Sequence, residues 1–419
     1  MASGSQATGL TLYVSPRGND AWSGALAAPA RDGHDGPLAT LAQALQRVRD
    51  RRREGPLAAP ARIVLRGGLY PQPQPLELTA EDGGTAEAPL LIEAHGDEVP
   101  VVSGGRLISG WRAEDLDGRT AWIADLPDVR SGTWTFTQLF VNGSRRPRTR
   151  LPRQGLFQIA ALPDLTPETR YNQGQDRFIC QPGDVRDWRN LTDIEMVALN
   201  FWIDSRMRLK TFDSATNLVT LDRRSDKRLT DDFALDTLGS YYLENVFEAL
   251  QEPGQWYLDR PAGRLYYLPR AGERLEEMQA VAPALPQVMR LCGSADKPVT
   301  HVRFRGVEFA HNECAEAAER AAYGQSANAL SGAVQALYAT GCVFESCAFT
   351  HTGTYGVEFG DGCMDCALRR CTLSDLGAGG AKLWHGSRRG EVSDCVIADG
   401  GQRFLCGVGI LIGQSSANN

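Results

Sequence analysis

At 419 residues with 42% hydrophobic side chains, the chain is long enough for two or three domains and a large core. Its net charge of -7 is mild and both signs are dispersed, which excludes a nucleic-acid or anionic-membrane surface; the arginines of "QRVRDRRRE" share their helix with acids. No apolar run approaches the roughly 20 residues that span a bilayer, and "MASGSQATGL" lacks a basic-then-apolar leader, so no secretion address is expected and a cytoplasmic location is favoured.

In chain order, "PLATLAQALQRVRDRR" comes first, with Leu38, Leu41, Leu45 and Val48 expected on one helical face. An amphipathic helix here would cover the open end of a stacked fold. Short apolar runs divided by Gly and Pro follow in "RIVLRGGLY", "PLELT", "PLLIEAHG" and "VPVVSGG", which read as the first coils of that fold within 1–105. Across 106–297 the pattern changes to "TQLFVNGSRRPRTRL", "LVTLDRR" and "GQWYLDRPAGRLYYLP", with turns at "NGS" and "PAG". This stretch predicts a discrete antiparallel β domain, a sandwich or barrel, packed beside the coils as one wall of a groove. The coils resume at "HVRFRGVEFAHNE" and are delayed by a long loop, 314–331, of the kind that often carries function.

From 332 the chain repeats. Gly332, Gly356 and Gly380 recur 24 residues apart, and so do Phe344, Leu368 and Val392; Cys347, Cys371 and Cys395; and Phe349, Leu373 and Ile397. Apolar positions alternate within each unit and glycines punctuate the runs, so each unit reads as short strands joined by turns. A fixed period of this length predicts an all-β fold, a right-handed parallel β-helix of about 24-residue coils with like residues laddered at about 4.8 Å. The Cys347, Cys371 and Cys395 ladder is expected to face inward as free thiols. The chain ends in mid-coil at "GVGILIGQSSANN", which reads as a truncated stack with an uncovered, aggregation-prone edge.

The triplets "HTG", "DLG" and "DGG" close successive units and put His351, Asp375 and Asp399 in one column. Carboxylates one coil apart stand about 5 Å apart at the backbone, which suits a retaining glycosidase pair at about 5 to 5.5 Å. Asp375 and Asp399 are therefore the candidate nucleophile and acid/base, their mutual repulsion splitting their pKa values. Asp before x-Gly is equally at home in a turn, where its side chain bonds nearby amides. Glu358 and Lys382 share one ladder position, as an exposed ion pair or as sugar ligands. Trp384 reads either as core or as a platform for a pyranose, with His385 beside it as a hydroxyl partner. Arg388, Arg389 and Arg403 read as solvated surface or as ligands of an acidic sugar. The "CMDC" of Cys363 and Cys366 lacks a second pair, and no metal or cofactor is expected.

The segments "LYVSPRGNDAWSG", "LFVNGSRRPRTRLP", "GQWYLDRPAGRLYYLPRAGE", "DLGAGGAKLW" and "DGGQRFLCGVGILIGQSS" resemble bacterial right-handed parallel β-helix proteins related to glycoside hydrolase family 141. The resemblance covers nearly the whole chain and implies carbohydrate hydrolysis; the family includes α-L-fucosidase and xylanase activities. The same fold also hosts polysaccharide lyases and glycan-binding proteins, which stand as alternatives.

Overall fold

The computed structural model describes residues 9–55, 57–233, 237–314, 320–413 and 415–419. Among the described residues three long parallel sheets run along the stack, beside a two-stranded one that pairs Val299–Thr300 with Ala339–Thr340. The first face contains Thr11–Val14, Ala61–Leu65, Leu90–Ala94, Val302–Arg305, Val343–Glu345, Ala367–Arg369 and Glu391–Ser393. The second contains Gly68–Pro71, Pro100–Ser103, Glu308–Ala310, Ala348–Thr352, Thr372–Leu376 and Val396–Ile397. The third contains Leu76–Thr79, Met289–Cys292, Gly332–Leu337, Tyr355–Phe359, Ala381–Leu383 and Ile410–Ile412.

The laddered residues meet as the period requires. Phe344 pairs with Leu368 and Leu368 with Val392, while Phe349 pairs with Leu373 and Leu373 with Ile397. Cys347 and Cys371 are buried in the core, with Cys395 packed against it at the last described coil. One register differs from the plain 24-residue spacing: Gly332 pairs with Tyr355, not Gly356, and Val334 with Val357. Ala336 pairs with Phe359 but Thr340 bridges to Met364, so the later coil holds one more residue at 360–363, where Gly362 turns the chain at φ 65°. A turn absorbs the extra residue because its backbone is not held by a ladder.

The helix Leu41–Arg53 buries Leu41, Ala44, Leu45 and Val48 against the same core and is capped by Thr40, whose side chain accepts from the Gln43 amide. Leu38 is buried but lies before the helix, bridged to Val14, so it belongs to the first face rather than to the helical stripe.

The parallel stack is interrupted between Pro100–Ser103 and Met289–Cys292. The latter pairs with Leu76–Thr79 on one side and Gly332–Leu337 on the other, so the coils resume before residue 298, earlier than the sequence pattern suggests. Among the described residues the interruption holds three antiparallel sheets with apolar clusters of their own. Its hairpins fall at the expected turns: Leu139–Val141 pairs with Ser144–Arg146 through Asn142 and Gly143, both left-handed, and Trp256–Asp259 pairs with Arg264–Tyr267. Part of the loop 314–331 lies outside the described residues. Its later portion starts against the interrupting domain, where the Arg206 amide donates to the Ala321 carbonyl, and then covers the third face, where the Tyr355 hydroxyl donates to the Ser326 carbonyl at 2.6 Å.

Candidate functional site

One corner of the stack repeats an unusual backbone. His311, His351, Asp375 and Asp399 have φ of 64°, 54°, 53° and 52°, so the chain leaves the second face through a left-handed residue on four successive coils. Asp and His enter this region more readily than most side chains, which accounts for the residue types at the corner. The column runs from buried His311, through half-buried His351 and Asp375, to exposed Asp399.

The interrupting domain covers part of the column. The Phe140 ring lies 4.9 Å from His311 and 5.0 Å from His351, and the two imidazoles stack 5.6 Å apart. Arg145 crosses the Phe140 face and donates from Nε to Asp375 Oδ1 at 2.5 Å, from Nη1 to Gln138 Oε1 at 2.6 Å, and from Nη2 to the Thr352 carbonyl at 2.9 Å. His351 Nδ1 bonds Asp375 Oδ2 at 2.6 Å. Both oxygens of Asp375 are thus held while 22% of the side chain stays accessible. Burial works to raise the Asp375 pKa, but the His351 hydrogen bond and the Arg145 charge outweigh it, and the carboxyl falls below its ordinary value. Asp375 is therefore a fixed anion at neutral pH.

His311 is neutral in the fold: burial, with the nearby His351 and Arg145, pushes its pKa down to about 3. Its Nδ1 shares a 2.9 Å hydrogen bond with Ser103 Oγ, but Ser103 is wholly buried and already accepts from the Gly105 amide. That pair holds a corner and has no room for a substrate carbonyl.

A cavity of about 340 Å³ opens beside Arg145. Thr137, Gln138, Arg146, Arg148, Arg150 and Glu244 line it from the interrupting domain, and Gln402 and Arg403 from the stack. Arg403, expected at the solvated surface, is buried, and its Nη1 donates to Glu313 Oε1 at 2.7 Å. Glu313 also accepts from the Thr137 amide and hydroxyl, which ties the two regions together. A wall of guanidinium groups with carboxylates behind them can hold sugar hydroxyls or carboxylates in fixed orientations.

The other residues singled out by sequence stand elsewhere. Glu358 and Lys382 form an ion pair at 3.3 Å, but a buried one, with side chains 6% and 2% exposed. Lys382 Nζ also donates to the Asn328 and Leu330 carbonyls, and Glu358 accepts from the Gly332 amide, because the loop that delays the coil folds over this part of the third face. The expectation of an exposed pair fails for that reason. Trp384 is buried, with Lys382 Nζ 5.4 Å from its ring, and His385 is exposed 4.0 Å from Asp361. The structure therefore joins His351 to Asp375, and sets Glu358, Lys382, Trp384 and His385 on another face. Asp399 follows Asp375 in the column, since the Leu376 amide donates to the Asp399 carbonyl, yet no hydrogen bond joins the two carboxyls among the described residues.

Arg145, Gln138, Phe140 and Glu313 were not singled out by sequence. Arg145 sits in "NGSRRPRTR", where nothing distinguishes it from its neighbours before its partner 230 residues away is known. His311 had a readable signal: its coil spans 40 residues because of the inserted loop, as Glu308 pairs with Ala348, and subtracting the loop puts "AHNE" over "THTG".

A family model described as the GH141 insertion domain matches residues 119–270, and one described as a right-handed β-helix region matches 295–419. A solved structure described as a glycoside hydrolase matches with a TM-score of 0.82 at 23% identity, covering 96% of this chain and 76% of that one. Another, described as the complex structure of XylC with xylose, has a TM-score of 0.47 at 12% identity, covering 97% of this chain and 57% of that one. Among curated proteins nothing matches. The chain is a right-handed parallel β-helix protein that resembles glycoside hydrolase family 141, and its interrupting domain is similar to the GH141 insertion domain over 119–270.

Proposed function

We propose that this protein is a glycoside hydrolase whose reaction takes place where the insertion domain meets the left-handed column, on a polysaccharide or its oligosaccharides. The observation that carries the reading is Asp375: a partly accessible carboxylate, held at both oxygens by His351 and by Arg145, the latter a lining residue of the arginine-rich cleft. A carboxyl kept ionised and immobile suits attack on an anomeric carbon, or stabilisation of the positive charge that develops there. Asp399, one coil on and exposed, is the second carboxylate. The coil spacing of about 4.8 Å is compatible with a retaining pair at about 5 to 5.5 Å.

The test is release of reducing ends from a panel of oligosaccharides by the wild-type chain and by Asp375→Asn and Asp399→Asn. Each variant is expected to lose on the order of 10² to 10⁴ in turnover, Asp399→Asn with an unchanged melting temperature and Asp375→Asn with a lower one but native circular dichroism, because Arg145 then loses its carboxylate partner. Turnover near wild type in Asp375→Asn would return that residue to corner and ion-pair duty. A product absorbing in the ultraviolet as an unsaturated uronate would move the chemistry to a lyase.

A further inference from the structure

The insertion domain carries a second concentration of chemistry at the tip of a hairpin. Glu195–Asn200 and Ile203–Asp213 are joined by only Phe201 and Trp202. Phe201 holds φ at 56°, a conformation costly for a bulky side chain, and such strain gathers at binding sites. Its ring lies 4.9 Å from that of Phe233, and Tyr171 lies 5.8 Å from Phe233 and 6.3 Å from Trp202. Tyr171, Trp202 and Phe233 are nevertheless 42%, 40% and 65% exposed. A contiguous aromatic patch left in water marks an interaction surface more often than a scattered apolar residue does. The Lys227 ammonium sits 4.6 Å from the Tyr171 ring and 4.9 Å from that of Trp202, which fixes both planes.

A cavity of about 690 Å³ adjoins this platform, with Asn172 and Gln173 in its wall. Asn172 follows Tyr171 in the chain and Asp226 precedes Lys227, so the cavity wall and the platform are neighbours at two points of the backbone. It shares no lining residue with the cavity beside Arg145.

We propose that this tip is a glycan-binding site separate from the reaction cleft, taking a neutral, hydroxyl-rich sugar chain. Exposed ring faces suit the apolar C–H faces of pyranoses, and side-chain amides and carboxylates suit paired hydroxyls. In the cavity wall Asp164 is paired with Arg177 and Asp176 with Arg224, and Asp226 stands beside Lys227 in the chain, so the charges balance and the site suits a neutral chain rather than a polyuronate. A protein partner is the less suited occupant, because the platform opens onto a polar hollow rather than a broad dry face.

The site goes beyond the hydrolase reading and is tested apart from it. Native affinity electrophoresis of the whole chain is run in gels containing xyloglucan, galactomannan, mixed-linkage β-glucan or polygalacturonate. At least one neutral polymer is expected to retard the protein. Binding should weaken at least about tenfold in Trp202→Ala and in Tyr171→Ala, with native circular dichroism, and persist in Trp202→Phe. Asp375→Asn should leave retardation unchanged, so a failed hydrolase reading and a failed binding site give different results. No retardation by any neutral polymer, retardation by polygalacturonate alone, retardation that survives both alanine variants, or its loss in Asp375→Asn would each overturn the proposal.

Discussion

The parallel stack and the insertion domain bury their apolar side chains by different rules. In the stack a residue meets its own counterpart one coil away: Phe304 stacks on Phe344 at 4.6 Å and 7°, and Phe309 on Phe349 at 5.4 Å and 17°. In the insertion domain unlike residues from remote segments meet, as where Trp134 donates to the Pro283 carbonyl 149 residues on and Phe136 packs against Trp256 at 5.7 Å. Periodicity limits the possible neighbours of a stack residue to a few positions. In the insertion domain, pairing must be discovered by folding. The same contrast separates the two halves of the candidate site, since Asp375 belongs to the periodic part and Arg145 to the other.

The sharpest way to break this comparison is to remove one large side chain from each core. Phe344→Ala deletes a wholly buried ring clamped between coils, and Trp256→Ala does the same in the insertion domain; each should cost about 3 to 5 kcal/mol. Hydrogen exchange read by mass spectrometry is expected to show accelerated opening of the stack in the first variant and of the insertion domain in the second. Uniform acceleration across the chain in both would mean one cooperative unit, and the contrast drawn here would not extend to energetics.

A middle-sized effect should come from acid, at the junction of the two regions. His311 has a folded pKa of about 3 against an ordinary 6.5, so below about pH 6.5 the unfolded chain takes a proton that the folded chain refuses. Stability then falls with decreasing pH by up to about 1.4 kcal/mol per unit until the folded imidazole titrates. Asp375 adds a lower window: its folded pKa is depressed, so its contribution is complete above the unfolded value of 3.8 and is lost as pH falls through the folded one. In denaturant titrations across pH 7 to 4, His311→Gln should flatten the slope. An unchanged slope would show that the folded chain does not hold the His311 imidazole neutral.

Much of the stack was legible because each ladder was written several times. The Phe344, Leu368 and Val392 register follows from spacing alone, and so does the adjacency of His351 and Asp375. The one-residue offset at Gly332 was hidden because glycines at a constant interval resemble a register whether or not their coils are equal in length. Lys382 was misread as exposed because a period reports which face of a coil a residue takes, and says nothing of a loop that returns to cover that face. The insertion domain's hairpins were readable from "NGS" and "PAG", where turn chemistry is local. Its contribution to the site was not, since Arg145 is one of several arginines in its segment and only the folded distance to Asp375 selects it.

The smallest expected effect sharpens the distinction between corner geometry and chemistry within the column. Asp399 is exposed at φ 52° and its carboxyl has no hydrogen-bond partner among the described residues, so its side chain contributes little to the fold beyond tolerating the left-handed backbone. Asn tolerates that backbone as well as Asp does, and Asp399→Asn should change unfolding free energy by less than about 0.5 kcal/mol. Val, branched at Cβ, does not, and Asp399→Val should cost about 1 to 2 kcal/mol. Equilibrium urea unfolding of the two variants measures the difference. If Asn and Val prove equally harmless, the corner is not enforced by the stack and the column is no guide to aligned chemistry. If Asn is harmless to stability, any fall in its turnover belongs to the carboxyl's chemistry, because the turn that presents it is intact.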